Sequence, residues 1–149
     1  MNPFDIRGAL LAKHAQHIVL IHFPIALFIA GVAFDFLAQS TKRRTLEAVA
    51  YYNLLGAAVF TVPVVATGLL AWQFQLEGQK LKGILLMHLL LGVTSAVLIW
   101  IAWVLHVRAK KRFESKLPIF RLAFETVAVA LIALTGHLGG FLSGVNGPS

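Results

Sequence analysis

Cysteine is absent from this 149-residue chain. That excludes disulfides, thiolate metal sites, cysteine-ligated iron–sulfur clusters and covalently attached c-type haem. Any metal would have to be held by imidazole or carboxylate. Charge is scarce too: 13% of the residues are Asp, Glu, Lys or Arg, against roughly 25% in an average soluble domain. With 58% hydrophobic residues and a mean hydropathy of +0.80, the chain has too little charge for a water-facing shell. It is expected to be an integral membrane protein, one domain over 1–149 with no appended soluble module. Acidic residues are the rarest charge, 6 against 13 basic ones, for a formal net charge of +7. The basic residues gather in short loops between apolar runs, where they set topology. The excess is therefore not a sign of nucleic-acid binding. No phosphate loop, nucleophile elbow or H-E-x-x-H occurs.

What is present is long apolar sequence. His17–Leu37, about Leu46–Phe74, Gly83 to about His106 and Ile119 to about Gly139 are each long enough to cross a bilayer, which takes about 20 residues. The pattern predicts an all-α, four-helix transmembrane bundle. Met1–Gln16, with no small-residue cleavage site after it, reads as a retained interfacial leader. The Gly/Ser/Pro-rich stretch Gly140–Ser149 reads as a loosely ordered tail. Pro24 removes one helical hydrogen bond and frees the carbonyl of Leu20, so a kink or the start of regular winding is expected near it. The loops after the first and third spans, with Arg121 beside them, hold Lys42, Arg43, Arg44, Arg108, Lys110, Lys111, Arg112 and Lys116. The opposite side holds Arg7, Lys13, Lys80 and Lys82. The positive-inside rule puts the basic loops in the cytoplasm and both termini outside, in a multi-pass protein. Trp100 and Trp103 near the inner interface and Trp72 near the outer one fit an aromatic belt.

Histidine carries what chemistry there is. An imidazole in lipid needs a partner or a task, and His22, His88 and His137 come to similar depth near the outer face at about 1.5 Å per helical residue. Local strings also suggest two repeated hairpins: His22 before Thr67-Gly68 and His88 before Thr135-Gly136. That register makes His22 and His88 equivalent across a two-fold axis along the membrane normal, with His137 extra. Four-helix bundles often build cofactor sites from inward side chains. The preferred reading is haem b with His22 and His88 as axial ligands, and His137 as alternative ligand or supporting donor. His14, His17, Thr67 and Thr135 would stand around the ligands, and Gly68, Gly92, Gly136 and Gly139 would make room for a flat macrocycle. A zinc or copper ion on His22, His88 and His137 is the alternative. The plain one is hydrogen bonding across helices.

His106, beside Arg108, reads as interfacial. Arg43 with Glu47 and Arg121 with Glu125 are i,i+4 pairs, and Asp35 lies within reach of the Lys42–Arg44 loop. These acids read as ion-paired or snorkelling groups at the cytoplasmic end. A proton-entry or docking surface is the lesser reading.

The run His22-Phe23-Pro24-Ile25-Ala26-Leu27, Thr67-Gly68, His88 and Thr135-Gly136-His137-Leu138-Gly139-Gly140 resembles a bacterial four-span membrane protein family of unknown function. Some of its members appear joined to, or encoded beside, Rieske iron–sulfur domains and other redox proteins. The resemblance implies a bacterial inner-membrane, redox setting. With it, the expected function is a haem b electron-transfer protein or subunit between a periplasmic redox partner and quinone or a larger complex, and not an independent enzyme. The alternative of another class is a non-catalytic small subunit that stabilises a larger membrane assembly. A transporter or proton channel is weaker, since the polar residues do not form a path from face to face.

Overall fold

The computed structural model describes the backbone of residues 13–111 and 119–143, and side chains within 16–74, 76–109 and 120–143. It contains four helices, α1 (Lys13–Thr41), α2 (Arg44–Gln75), α3 (Gly83–Lys111) and α4 (Ile119–Leu142), and no strand among the described residues. All four are long and apolar enough to cross a membrane. The expected spans are all present, and each helix is as long as its expected span or longer. α1 already includes Lys13–Gln16, the last part of the expected leader, and α4 runs on to Leu142. The rest of the leader and residues 144–149 of the tail lie outside the described residues.

Each helix is apolar almost all round, because its outer face meets lipid. Val19, Ile29, Val59, Val62, Leu70, Leu90, Val97, Phe120 and Val127 are exposed on the bundle surface. Burial follows a narrow stripe of small and shape-filling residues, as expected where packing and not hydrophobic transfer draws helices together. α1 and α2 form the tightest hairpin. A Cβ on Gly31 would sit 2.9 Å from Leu54 Cγ, and one on Gly56 would sit 3.1 Å from Leu27 Cδ1. The helix winds through Pro24, which is buried, and the adjacent Phe23 ring stacks on Phe60 with centroids 4.9 Å apart. Lys42 closes α1 in the left-handed region (φ 55°), its N–H donating to the Ala38 carbonyl at 2.8 Å.

The two hairpins do repeat, in a different register from the one the His22 string suggests. His17 Nδ1 meets the Val64 carbonyl and His88 Nδ1 meets the Thr135 carbonyl, both across 47 positions at 3.1 Å. His17 packs against Gly68 and His88 against Gly139 in the same way. Every member of the first set recurs 71 positions later in the second. The buried stripe obeys the same shift. Pro24, Phe28, Gly31 and Asp35 on α1 correspond to Ser95, Ile99, Ala102 and His106 on α3; Ala50, Leu54, Ala57 and Thr61 on α2 correspond to Arg121, Glu125, Ala128 and Ile132 on α4. The equivalents Asp35 and His106 meet, with Oδ2 and Nε2 3.8 Å apart, which places them beside the pseudo-two-fold axis. The counterpart of His88 is therefore His17, and His22 corresponds to Val93.

Gly31→Val should wedge α1 from α2, because Leu54 and the Ala50 carbonyl leave no room for a side chain. A loss of about 1–3 kcal/mol is expected from overpacking, read as a lower unfolding midpoint in detergent, whereas Gly92→Ala, which meets only Thr135 Cγ2 at 3.8 Å, should be near neutral.

Candidate functional site

Two polar layers lie at opposite ends of the bundle. The one near the basic loops is an ion cluster. Asp35 comes from α1, His106 from α3, and Arg121 and Glu125 from the first turns of α4. Asp35 and Glu125 are 0% exposed, Arg121 2% and His106 6%. Arg121 Nε donates to Asp35 Oδ2 at 3.1 Å, and its Nη2 donates to the same carboxylate. Planar guanidinium against planar carboxylate is the strongest geometry for such a pair. Arg121 Nε also lies 3.6 Å from Glu125 Oε1, one turn along α4. His106 Nε2 donates to Glu125 Oε1 at 2.8 Å. Arg121 Nη1 and Glu125 Oε2 are buried with no hydrogen-bond partner.

This arrangement corrects two expectations. His106 is not interfacial; the helix carries its ring into the bundle, onto Glu125. Asp35 does not turn to the Lys42–Arg44 loop; it sits about 9 Å inside the end of α1 at about 1.5 Å per residue and pairs with Arg121, 86 positions away. Neither it nor Glu125 snorkels. The physical reason is the stripe: Phe28, Val32 and Asp35 follow i, i+4, i+7, so the face that buries Phe28 buries Asp35 too. In a helix apolar on every face that spacing signals burial only once Phe28 is known to face inward, since Ile29, Ala33 and Phe36 share the spacing and are exposed. Among the described residues, Asp35, His106 and Glu125 are the one group of three metal-capable side chains within 4.8 Å of one another. The guanidinium of Arg121 already provides a cation there.

The layer near the termini is made of imidazoles. A carbonyl can only accept, so the nitrogen facing it carries the hydrogen and the ring's lone pair lies on Nε2. His88, half-buried, donates from Nδ1 to the Thr135 carbonyl of α4; a Cβ at Gly139 would lie 3.1 Å from its Cε1. His17, also half-buried, meets the Val64 carbonyl and, at 3.2 Å, Thr67 Oγ1 of α2; its Cε1 lies 2.9 Å from the Gly68 Cβ position. Thr67 in turn donates to the Pro63 carbonyl, and Thr135 Oγ1 meets Ser95 Oγ at 3.1 Å. His22 is exposed and donates to the Ile18 carbonyl of its own helix at 2.7 Å. His137 is exposed, with Phe141 edge-on at a centroid distance of 5.0 Å. The structure thus gives His17 and His88 matching surroundings and sets His22 and His137 on outer faces. The side chain of His14 lies outside the described residues.

Between the layers, Trp100 Nε1 donates to Thr61 Oγ1 at 3.0 Å and ties α3 to α2. Trp100 therefore acts inside the bundle as well as at its surface, while Trp72 Nε1 caps the turn carbonyl of Gln79 at 2.9 Å.

Removing one member of the ion cluster should be far worse than removing a surface charge, because all four side chains are buried. Arg121→Met leaves the buried Asp35 carboxylate without its guanidinium and is expected to cost about 3–5 kcal/mol. Asp35→Asn/Arg121→Gln, which removes both charges together, should recover much of that loss in a detergent-unfolding double-mutant cycle.

The chain belongs to the family described as predicted membrane protein (DUF2231), whose family model matches residues 13–147. No curated protein and no solved structure matches it.

Proposed function

We propose that this member of the predicted membrane protein (DUF2231) family is an electron-transfer protein or subunit that binds haem b between its two hairpins, with His17 and His88 as the axial pair. The observation that carries this reading is the matched setting of those two imidazoles. Each has Nδ1 tied to a carbonyl 47 positions later and its ring laid against a glycine. Metal-ligating histidines almost always donate their other ring N–H to such an acceptor, which fixes tautomer and orientation. His17 precedes Asp35 by five helical turns, and His88 precedes His106 by the same interval, at about 3.6 residues per turn. Each imidazole thus lies about five turns from the residue that marks the pseudo-axis, Asp35 or His106, and is held against the second helix of its own hairpin. His17 and His88 are the residues that would hold the iron, each through the Nε2 opposite its carbonyl-bonded nitrogen.

The residues fit the group in type and support. Gly68 and Gly139 leave room for the two imidazole rings, Thr67 braces His17, and no cysteine competes as ligand. Bound haem would supply one-electron chemistry, and the protein's part is to set its position and potential. His22, the ligand favoured by the sequence, lies on the outer face of α1, where it suits a partner surface better than the axis.

Topology follows from charge. With the loops around Lys42–Arg44 and Arg108–Lys116 in the cytoplasm of a bacterial inner membrane, both termini and the His17/His88 layer lie on the outer side. An external redox protein would then be the near partner, and quinone or a larger membrane complex the other. If the imidazoles instead only brace the helices, the chain is a stabilising subunit of a larger assembly, and its spectrum decides the matter.

Protein purified in detergent from haem-replete cells should give a b-type reduced-minus-oxidised spectrum with about one haem per chain by pyridine extraction. His88→Ala and His17→Ala should each abolish or five-coordinate it, His22→Ala should leave it in place, and Gly139→Val should weaken it by pushing the His88 ring aside. A colourless wild-type protein would overturn the reading.

A further inference from the structure

The ion cluster at the basic-loop end has an unbalanced charge, and the imbalance identifies what it binds. Asp35 and Glu125 are two carboxylates; Arg121 supplies one positive charge and a neutral His106 none. The four side chains come from three helices and are 0–6% exposed, so bulk water does not screen the remaining negative charge. An unpaired ion in such surroundings is costly unless it is neutralised or given a partner. Glu125 Oε2, fully buried, has no hydrogen-bond partner, and neither has Arg121 Nη1. The carboxylate oxygens of Asp35 and Glu125 and the imidazole nitrogen lie within 4.8 Å of one another.

We propose that the Asp35–His106–Arg121–Glu125 cluster is a binding site for one proton, held between Glu125 and His106. One proton brings the buried set to zero net charge. A divalent cation would carry it to net positive beside a guanidinium that already occupies both oxygens of Asp35. A monovalent metal ion would match the charge, but His106 and Glu125 stand 2.8 Å apart, the separation of a hydrogen bond sharing one proton, so the ligand is a proton. The His106–Glu125 contact of 2.8 Å suits either placement: imidazolium against carboxylate, or neutral imidazole against a carboxylic acid whose proton sits on Oε2. The groups that face this proton are Asp35 from α1, His106 from α3, and Arg121 and Glu125 from α4. Glu47 of α2, exposed at the helix start, acts on His106 through space.

The pseudo-symmetry shows that this is an addition to the repeat. At the positions of Arg121 and Glu125 the first hairpin has Ala50 and Leu54, both buried. Only the second hairpin brings an acid and a base to the axis, and it does so one turn apart on a single helix. The site stands apart from the imidazole layer by about 27 Å, five turns of helix, and does not depend on any cofactor there.

Wild-type protein in lipid nanodiscs at neutral pH, with carbon-13-labelled carboxylates and nitrogen-15-labelled histidine, tests the proposal directly. Infrared spectra should show the carbonyl stretch of one protonated carboxyl group, or nitrogen spectra should show one imidazolium, identified as His106 by its disappearance in His106→Gln. Glu125→Gln, which removes the surplus negative charge, should lose whichever signal is present. Where a variant does not fold, the wild-type signal is assigned to the buried pair by slow exchange in deuterium oxide, which exposed histidines and carboxyl groups do not show; a signal that exchanges at once counts against the site. Wild-type protein with neither signal, or with a stoichiometric metal ion that is lost in Glu125→Gln, overturns it.

Discussion

Arg121 reaches from α4 to Asp35 on α1 with both planar groups aligned, in a medium that offers neither of them water. The lipid phase gives helices no hydrophobic reason to associate, because acyl chains are as apolar as the side chains that face them. What holds the two hairpins in one arrangement must then be close packing and a small number of polar ties. The Asp35–Arg121 pair, the His106–Glu125 bond and the Trp100–Thr61 bond all join different helices, and the first and third link one hairpin to the other. A buried ion pair is a weak source of net stability against a well-packed apolar alternative, yet it is strongly selective for register. Sliding α4 by one residue along α1 would leave a guanidinium and a carboxylate bare in hydrocarbon. The cluster is thus best understood as the element that selects one packing among many apolar ones.

Around it the bundle is a repeat that has diverged. The shift of 71 positions relates His17 to His88, Phe28 to Ile99, Asp35 to His106 and Gly68 to Gly139. The pseudo-symmetry explains why the equivalent positions 35 and 106 meet at the axis. The departure from symmetry is chemical: an acid on one side faces a base on the other. The first hairpin is the tighter, with Gly31 against Leu54 and Phe23 stacked on Phe60; the second carries the charge. Packing and chemistry have been divided between two copies of one scaffold.

How much of this could be read beforehand differs by level. Four spans, their approximate limits and the basic loops follow from length and composition, because a bilayer core about 30 Å thick filters sequences severely. The presence of a repeat was also legible, but its register was not. The string His22-Phe23-Pro24 points to one register, whereas the match of His17 to His88 lies in a carbonyl and a glycine on another helix. Those partners have no side-chain signature. The same limit applies to the ion cluster. Arg121 and Glu125 were visible as an i,i+4 pair, whereas Asp35 and Arg121, 86 positions apart, could be joined only once α1 and α4 were known to be neighbours.

The sequence by itself determined the solvent, the number of crossings and the side on which positive charge collects, since each depends on local composition against a fixed bilayer thickness. The tertiary structure decided which polar groups meet. In helices apolar on every face, periodicity marks no inward side strongly enough to orient each histidine or carboxylate. Their facing was settled by small residues that let particular backbones approach, and by the cost of leaving Asp35, Arg121 or Glu125 without a partner in lipid.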